Sequence, residues 1–89
     1  SDAGLRFFAL RSITSYGTAA LSARAAVIAR LADALPSNRQ IAITTLVAIT
    51  PRVQRDSLVP LLAPLHVDPF TEVRATADAA LKELEKRVK

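Results

Sequence analysis

Apolar residues recur along this chain at helical spacing, and no stretch alternates apolar and polar residues for long enough to build a strand. The first segment, about Asp2 to Tyr16, places Leu5, Phe8, Ala9, Ser12, Ile13 and Tyr16 on one stripe, and Gly17 ends it. At about 100° per residue, Phe7 and Leu10 point away from that stripe. A helix that is apolar on two sides needs neighbours on two sides. The stripe is therefore expected to face inward, with Phe7 and Leu10 forming an exposed apolar end, covered by a preceding helix of a longer chain or by a second copy.

A second helix reads from about Ser22 to Leu35, with Pro36 closing it and Ser37 placed to cap the next. The third, about Asn38 to Thr50, has so little polar surface that it is expected at the centre. Pro51 opens a fourth that runs to about His66, where Pro60 and Pro64 each remove a backbone donor and must bend or split it. Asp68-Pro69 makes a turn, and Thr71 caps a last helix that is apolar at Val73, Ala77, Ala80, Leu81, Leu84 and Val88. Its opposite face is charged, with Glu83 four residues before Arg87 and Glu85 four before Lys89. The expected fold is all-α, about five helices stacked as antiparallel pairs in one domain over residues 1–89.

Composition sharpens this picture. The chain is 51% hydrophobic but only 4% aromatic, with 17 Ala and 12 Leu, which favours closely packed helices over a sandwich of sheets. Cysteine is absent, excluding disulfides and thiolate metal sites and fitting an intracellular, cytoplasmic location. Charges or prolines interrupt every apolar run before the ~18 residues a membrane-spanning helix needs. Beginning at Ser1 rather than Met, the sequence reads as part of a larger protein.

Charge is uneven. Residues 1–55 carry seven arginines against Asp2 and Asp33, a balance of +5, whereas residues 56–89 carry five basic against six acidic groups, a balance of −1. Attraction to an acidic partner belongs to the first part.

Shifting the sequence by 32 residues lays the last two helices on the second and third, so that Ala26 meets Leu58, Leu35 meets Val67, Ile41 meets Val73 and Ile49 meets Leu81. The later unit is the more specific. Its run Leu58-Val59-Pro60-Leu61-Leu62, then Asp68-Pro69, then Glu72-Val73-Arg74, then Ala77, Ala80, Leu81 and Leu84, resembles the HEAT-repeat pattern over about residues 54–86. The resemblance implies that Pro60 bends the first helix of the unit, that Asp68 closes the turn, and that Val73-Arg74 opens the second helix. It also implies that Asp68 and Arg74 join a hydrogen-bonding ladder between adjacent repeats.

In the 32-residue register the earlier unit keeps the apolar frame but loses the polar signature, because Ile28, Pro36 and Ala42 stand opposite Pro60, Asp68 and Arg74. Residues 1–17 then read as the second helix of a truncated repeat, 18–50 as a degenerate repeat, and 51–89 as a HEAT-like repeat with a polar terminal face of the kind that ends an array. A narrower resemblance, Val67-Asp68-Pro69 with Val73-Arg74 and Leu84-Glu85, is to the HEAT region of SCY1-like pseudokinases.

Little in the sequence points to catalysis. His66, the only histidine, closes a helix without a nucleophile or ligand set, and Asp56, Asp68 and Asp78 form no recognised oxygen-ligand loop. No serine sits in a G-x-S-x-G elbow, and no Gly-rich phosphate loop is present. Hence no catalytic residue, metal ligand or cofactor is expected. The candidate partner-binding residues are Arg39, Arg52 and Arg55, near helix starts around two neighbouring turns, where guanidinium groups grip carboxylates or phosphates of an acidic partner.

The expected function is a non-catalytic protein-protein interaction scaffold whose partner is another protein or adjacent repeats. A nucleic-acid-binding repeat, motivated by the +5 first part, is the alternative. So is a self-associating five-helix bundle that closes the first helix against the fifth.

Overall fold

Three of the five prolines set helix boundaries in this chain through the residue that precedes them. A residue before proline is pushed out of helical geometry toward extended backbone. Leu35 (ψ 129°), Thr50 (ψ 123°) and Asp68 (ψ 142°) precede Pro36, Pro51 and Pro69, and each marks a break between helical segments. Pro36 thus opens a helix rather than closing one, and Leu35, not Ser37, is the capping residue.

A computed structural model describes residues 3–88, with side chains described for 4–85. The expected roles of Asp2 and Val88, and the pairs Glu83–Arg87 and Glu85–Lys89, lie outside the described residues. Helix α1 (Ala3–Tyr16) ends at Gly17, whose φ of 57° suits a residue without Cβ. A 3-10 turn (Gly17–Ala23), kinked at Ala20, then leads into α2 (Arg24–Arg30), shorter than the helical spacing predicts at both ends: Ala23 (ψ 2°) is its N-cap, and the chain leaves the helix at Leu31, ahead of the turn in which Asp33 takes the Leu35 amide.

Helix α3 (Pro36–Ile49) follows. The fourth path is split into a 3-10 segment (Arg52–Leu58), the short α4 (Val59–Leu62) and a second 3-10 segment (Ala63–Val67). Pro60 and Pro64 each stand second in a new piece, where the missing N–H costs no helical bond. Helix α5 (Thr71–Val88) closes an all-α fold, with no strand among the described residues.

Helices α1, α3 and α5 lie side by side with α3 in the middle; α2 and its leading turn pack on α3, while α4 and the 3-10 segment after it pack on α5. The Cα extents, 40 × 31 × 17 Å, are those of a slab two helices thick. The core runs through Val27, Ala42, Ile43, Leu46, Ile49, Leu58, Leu62, Val73 and Ala77, none of which is exposed. Among the described residues helix α1 takes α3 as its main packing partner, and α5 packs chiefly on the other elements flanking it, α3 and the 3-10 segment before it, so the helices lie in a row.

The faces of α1 are the reverse of the sequence expectation. Leu10 is buried in the core at 3% exposure and Phe7 is half-buried beside Ile41 and Thr44, whereas Leu5 (68%), Phe8 (64%) and Tyr16 (69%) are exposed. A polar contact accompanies this choice. With Leu10 inward, Thr14 sits 2.6 Å from Thr45 across the α1–α3 seam, and both hydroxyls reach the Leu10 carbonyl, at 2.8 and 3.3 Å. Thr45 also donates to the Ile41 carbonyl of its own helix at 2.7 Å, so the opposite stripe would cost it the cross-helix contact alone.

Candidate interaction face

Two aspartates tie the row of helices together, and each sits just before the helix it anchors. Asp33 accepts Arg6 Nε at 2.8 Å and Arg30 Nη1 at 3.1 Å, and its other oxygen takes the Leu35 amide at 2.9 Å. Asp68 accepts Arg39 Nε at 2.8 Å on one oxygen, and Arg39 Nη2 at 3.1 Å with the Phe70 amide at 3.0 Å on the other. Arg39 also donates through Nη1 to the Asp33 carbonyl at 2.8 Å, as Arg74 Nη1 does to the Asp68 carbonyl at 2.6 Å. The result is a ladder running Arg6, Asp33, Arg39, Asp68, Arg74.

Both carboxylates are buried, and their electrostatics follow from their partners. The hydrogen bond from Arg6 chiefly holds Asp33 well below the usual carboxylate range, against the opposing effect of burial, with the Leu35 amide adding to it. Asp68 is lowered in the same way, chiefly by Arg39 and then by the Phe70 amide.

This geometry pairs the two halves of the ladder at a different spacing from the apolar match. Asp33 and Asp68 are 35 residues apart, as are Arg39 and Arg74, so the equivalent positions lie at 35 and not 32. The earlier unit keeps its polar signature in Asp33 and Arg39. Apolar matching misplaced it because an Ala- and Leu-rich frame tolerates sliding, whereas Asp followed six residues later by Arg occurs in both units and was the signal available.

Arg39, Arg52 and Arg55 do not form one patch. Arg39 is spent on Asp68 and two carbonyls, and its guanidinium lies 5.7 Å from the Phe70 ring centre. It stands in the first turn of α3, while Arg55 donates to the Thr50 carbonyl at the far end of that helix, about 16 Å away at 1.5 Å per residue. Arg52 is exposed beside Arg55. Of the remaining signature residues, Val73 is fully buried on α5 and Pro60 is exposed in α4. His66 pairs with Asp78 at the surface, and no group of three metal-ligating side chains gathers among the described residues.

The open face of α1 is the feature the sequence placed on the wrong residues. Arg6 performs toward Asp33 what Arg39 performs toward Asp68, which aligns α1 with α3 at a spacing of 33. In that alignment Leu5, Ser12 and Tyr16 match Asn38, Thr45 and Ile49, all fully buried inside the row, while Phe8 matches the partly buried Ile41. The outer side of α1 therefore presents, exposed, the surface that α3 uses for packing. Beside it runs a shallow, largely apolar cleft of about 160 Å³ between α1 and α2, lined by Ala9, Ile13, Ala26 and Val27 with Arg6 and Arg30 at one end.

Comparisons with protein-family models, curated proteins and solved structures give no match. No helix among the described residues is long and apolar enough to cross a membrane.

Proposed function

We propose that this chain is a non-catalytic, HEAT-like interaction module whose working surface is the outer side of α1 together with the α1–α2 cleft. The observation that carries this reading is the exposure of Leu5, Phe8 and Tyr16 at positions whose counterparts in α3 are packed. Three large apolar side chains on one helix face, continuous with an apolar cleft, form the kind of patch that marks a binding surface. The ladder, with its 35-residue spacing, and the row of helices support the repeat reading.

The nucleic-acid alternative loses ground to the same ladder. Of the seven arginines in the first part, Arg6, Arg30 and Arg39 are already engaged by Asp33 and Asp68, whose two carboxylates offset two of their three charges. Titrating the protein at about 50 mM salt with duplex and single-stranded oligonucleotides, and separately with amphipathic helical peptides, tests the choice. Peptide binding that shifts the amides of α1 and α2 is the expected result. Oligonucleotide binding in the absence of any peptide binding would contradict it.

A further inference from the structure

Two rungs of the ladder are complete and a third is half-built. Arg39 and Arg74 are each the fourth residue of their helix, α3 and α5, and each donates Nη1 to the carbonyl of the aspartate six residues earlier, at 2.8 Å for Asp33 and 2.6 Å for Asp68. That bond fixes where the rest of the guanidinium points. In Arg39 the Nε and Nη2 edge meets the Asp68 carboxylate, and Phe70, two residues beyond that aspartate, sets its ring centre 5.7 Å from the guanidinium. Arg6 presents the same two nitrogens to Asp33, at 2.8 and 3.4 Å.

Arg74 takes the same stance without the carboxylate. Its Nη2 rests on the Thr71 hydroxyl at 3.0 Å, and its Nε meets no acceptor among the described residues. The residue 35 positions before Thr71 is Pro36, which has no hydroxyl, so this contact has no counterpart at Arg39. Asp78, one turn further along the same side of α5, pairs with His66 and not with Arg74. The Arg74 side chain is only half-buried, so its open edge is within reach of another molecule.

We infer that the Arg74 fork is a binding site for a carboxylate of a partner protein, an aspartate in the turn that enters a helix, with an aromatic ring two residues later. This is the chemistry of Asp68-Pro69-Phe70, the turn that Arg39 already holds: paired hydrogen bonds to the carboxylate and a ring against the guanidinium. The site lies at α5, across the row from α1, and does not depend on the reading of the α1 face.

The test uses a synthetic peptide of about 18 residues that opens with Asp-Pro-Phe and continues as an alanine-rich helix. Its controls are the same peptide with Asn for Asp, the same with Ala for Phe, and sodium acetate at equal concentration. Each is titrated to about 10 mM, to cover an affinity near 1 mM, while the arginine Nε–Hε signals are followed by NMR. The Arg74→Lys variant identifies the Arg74 signal by its loss and removes the fork while keeping the charge. Circular dichroism checks its fold, and the Asp-against-Asn comparison is made on the unaltered protein.

The expected result is a saturable shift of the Arg74 Nε–Hε signal with the first peptide, about tenfold weaker binding with Asn and about threefold weaker with Ala. The Arg74→Lys variant should not distinguish Asp from Asn. Equal binding of the Asp and Asn peptides by the wild type, or no shift at Arg74, would overturn the site. Acetate that shifts Arg74 as strongly as the peptide would reduce it to a contact for any carboxylate and overturn the helix-entry partner. An Ala-for-Phe peptide that binds as tightly as the first would overturn the aromatic part of that partner.

Discussion

Arg39 holds Asp68 by a two-pronged ion pair, Nε to one carboxylate oxygen at 2.8 Å and Nη2 to the other at 3.1 Å, across the boundary between one helix pair and the next. With 12% and 5% of their side chains exposed, the two are screened little by solvent. Asp68→Ala should therefore cost about 2–3 kcal/mol, because it leaves the guanidinium partly buried and unpaired. Arg39→Lys should lose much of that as well, since an ammonium does not reproduce the fork. Urea denaturation of both variants and of the double variant measures the coupling.

Acid stability follows from the same pair of aspartates. Asp33 and Asp68 have folded pKa values below the ordinary aspartate value of about 3.9, so folding stabilises their charged forms. Their contribution is fully present above about pH 5 and is lost progressively as the pH falls through the unfolded value toward the lower folded ones. Thermal melts from pH 7 to pH 2 should show the wild type weakening steeply below about pH 4, and an Asp33→Asn, Asp68→Asn variant, weaker at neutral pH, should show a flatter acid limb.

The two faces of α1 separate cleanly by substitution. Leu10→Asp places a carboxylate in the core and should unfold the protein or cost more than about 3 kcal/mol. Phe8→Asp, on the open side, should change stability by about 0.5 kcal/mol or less. The reverse order of effects in denaturation curves would mean that α1 packs the other way round.

Gly17 offers a test of backbone geometry alone. A Cβ there would meet its nearest neighbour, the Ala48 carbonyl oxygen, at an ordinary 3.9 Å, so crowding is not the obstacle. The φ of 57° is, and Gly17→Ala should cost about 1–2 kcal/mol, read as a lower denaturation midpoint with an unchanged m-value.

How much of this was legible in the sequence depended on which residues carried the signal. The central position of α3, the stop at Gly17 and the break at Pro60 and Pro64 came from residues whose backbone effects are local and nearly unconditional. The face of α1 did not, because Leu5, Phe8, Ile13 and Tyr16 make as good a stripe as Phe7, Leu10 and Thr14. The observed face comes with a hydroxyl contact to Thr45, 31 residues away, which no local pattern announces. Arg39 looked available for a ligand for the same reason: its partner Asp68 is 29 residues distant, and only the stacking of helices brings them together.

The most direct measurement of the central claim, that the outer side of α1 is where a partner docks, exploits the absence of cysteine from this chain. Single cysteines at Phe8, Tyr16 and, as a control on an exposed position of α5, Ala79 are each labelled with a thiol reagent, with and without the amphipathic helical peptide that binds in the titration. Slowed labelling at Phe8→Cys and Tyr16→Cys with no change at Ala79→Cys is the predicted result. Labelling at Phe8→Cys and Tyr16→Cys that stays as fast with saturating peptide as without it would contradict the account.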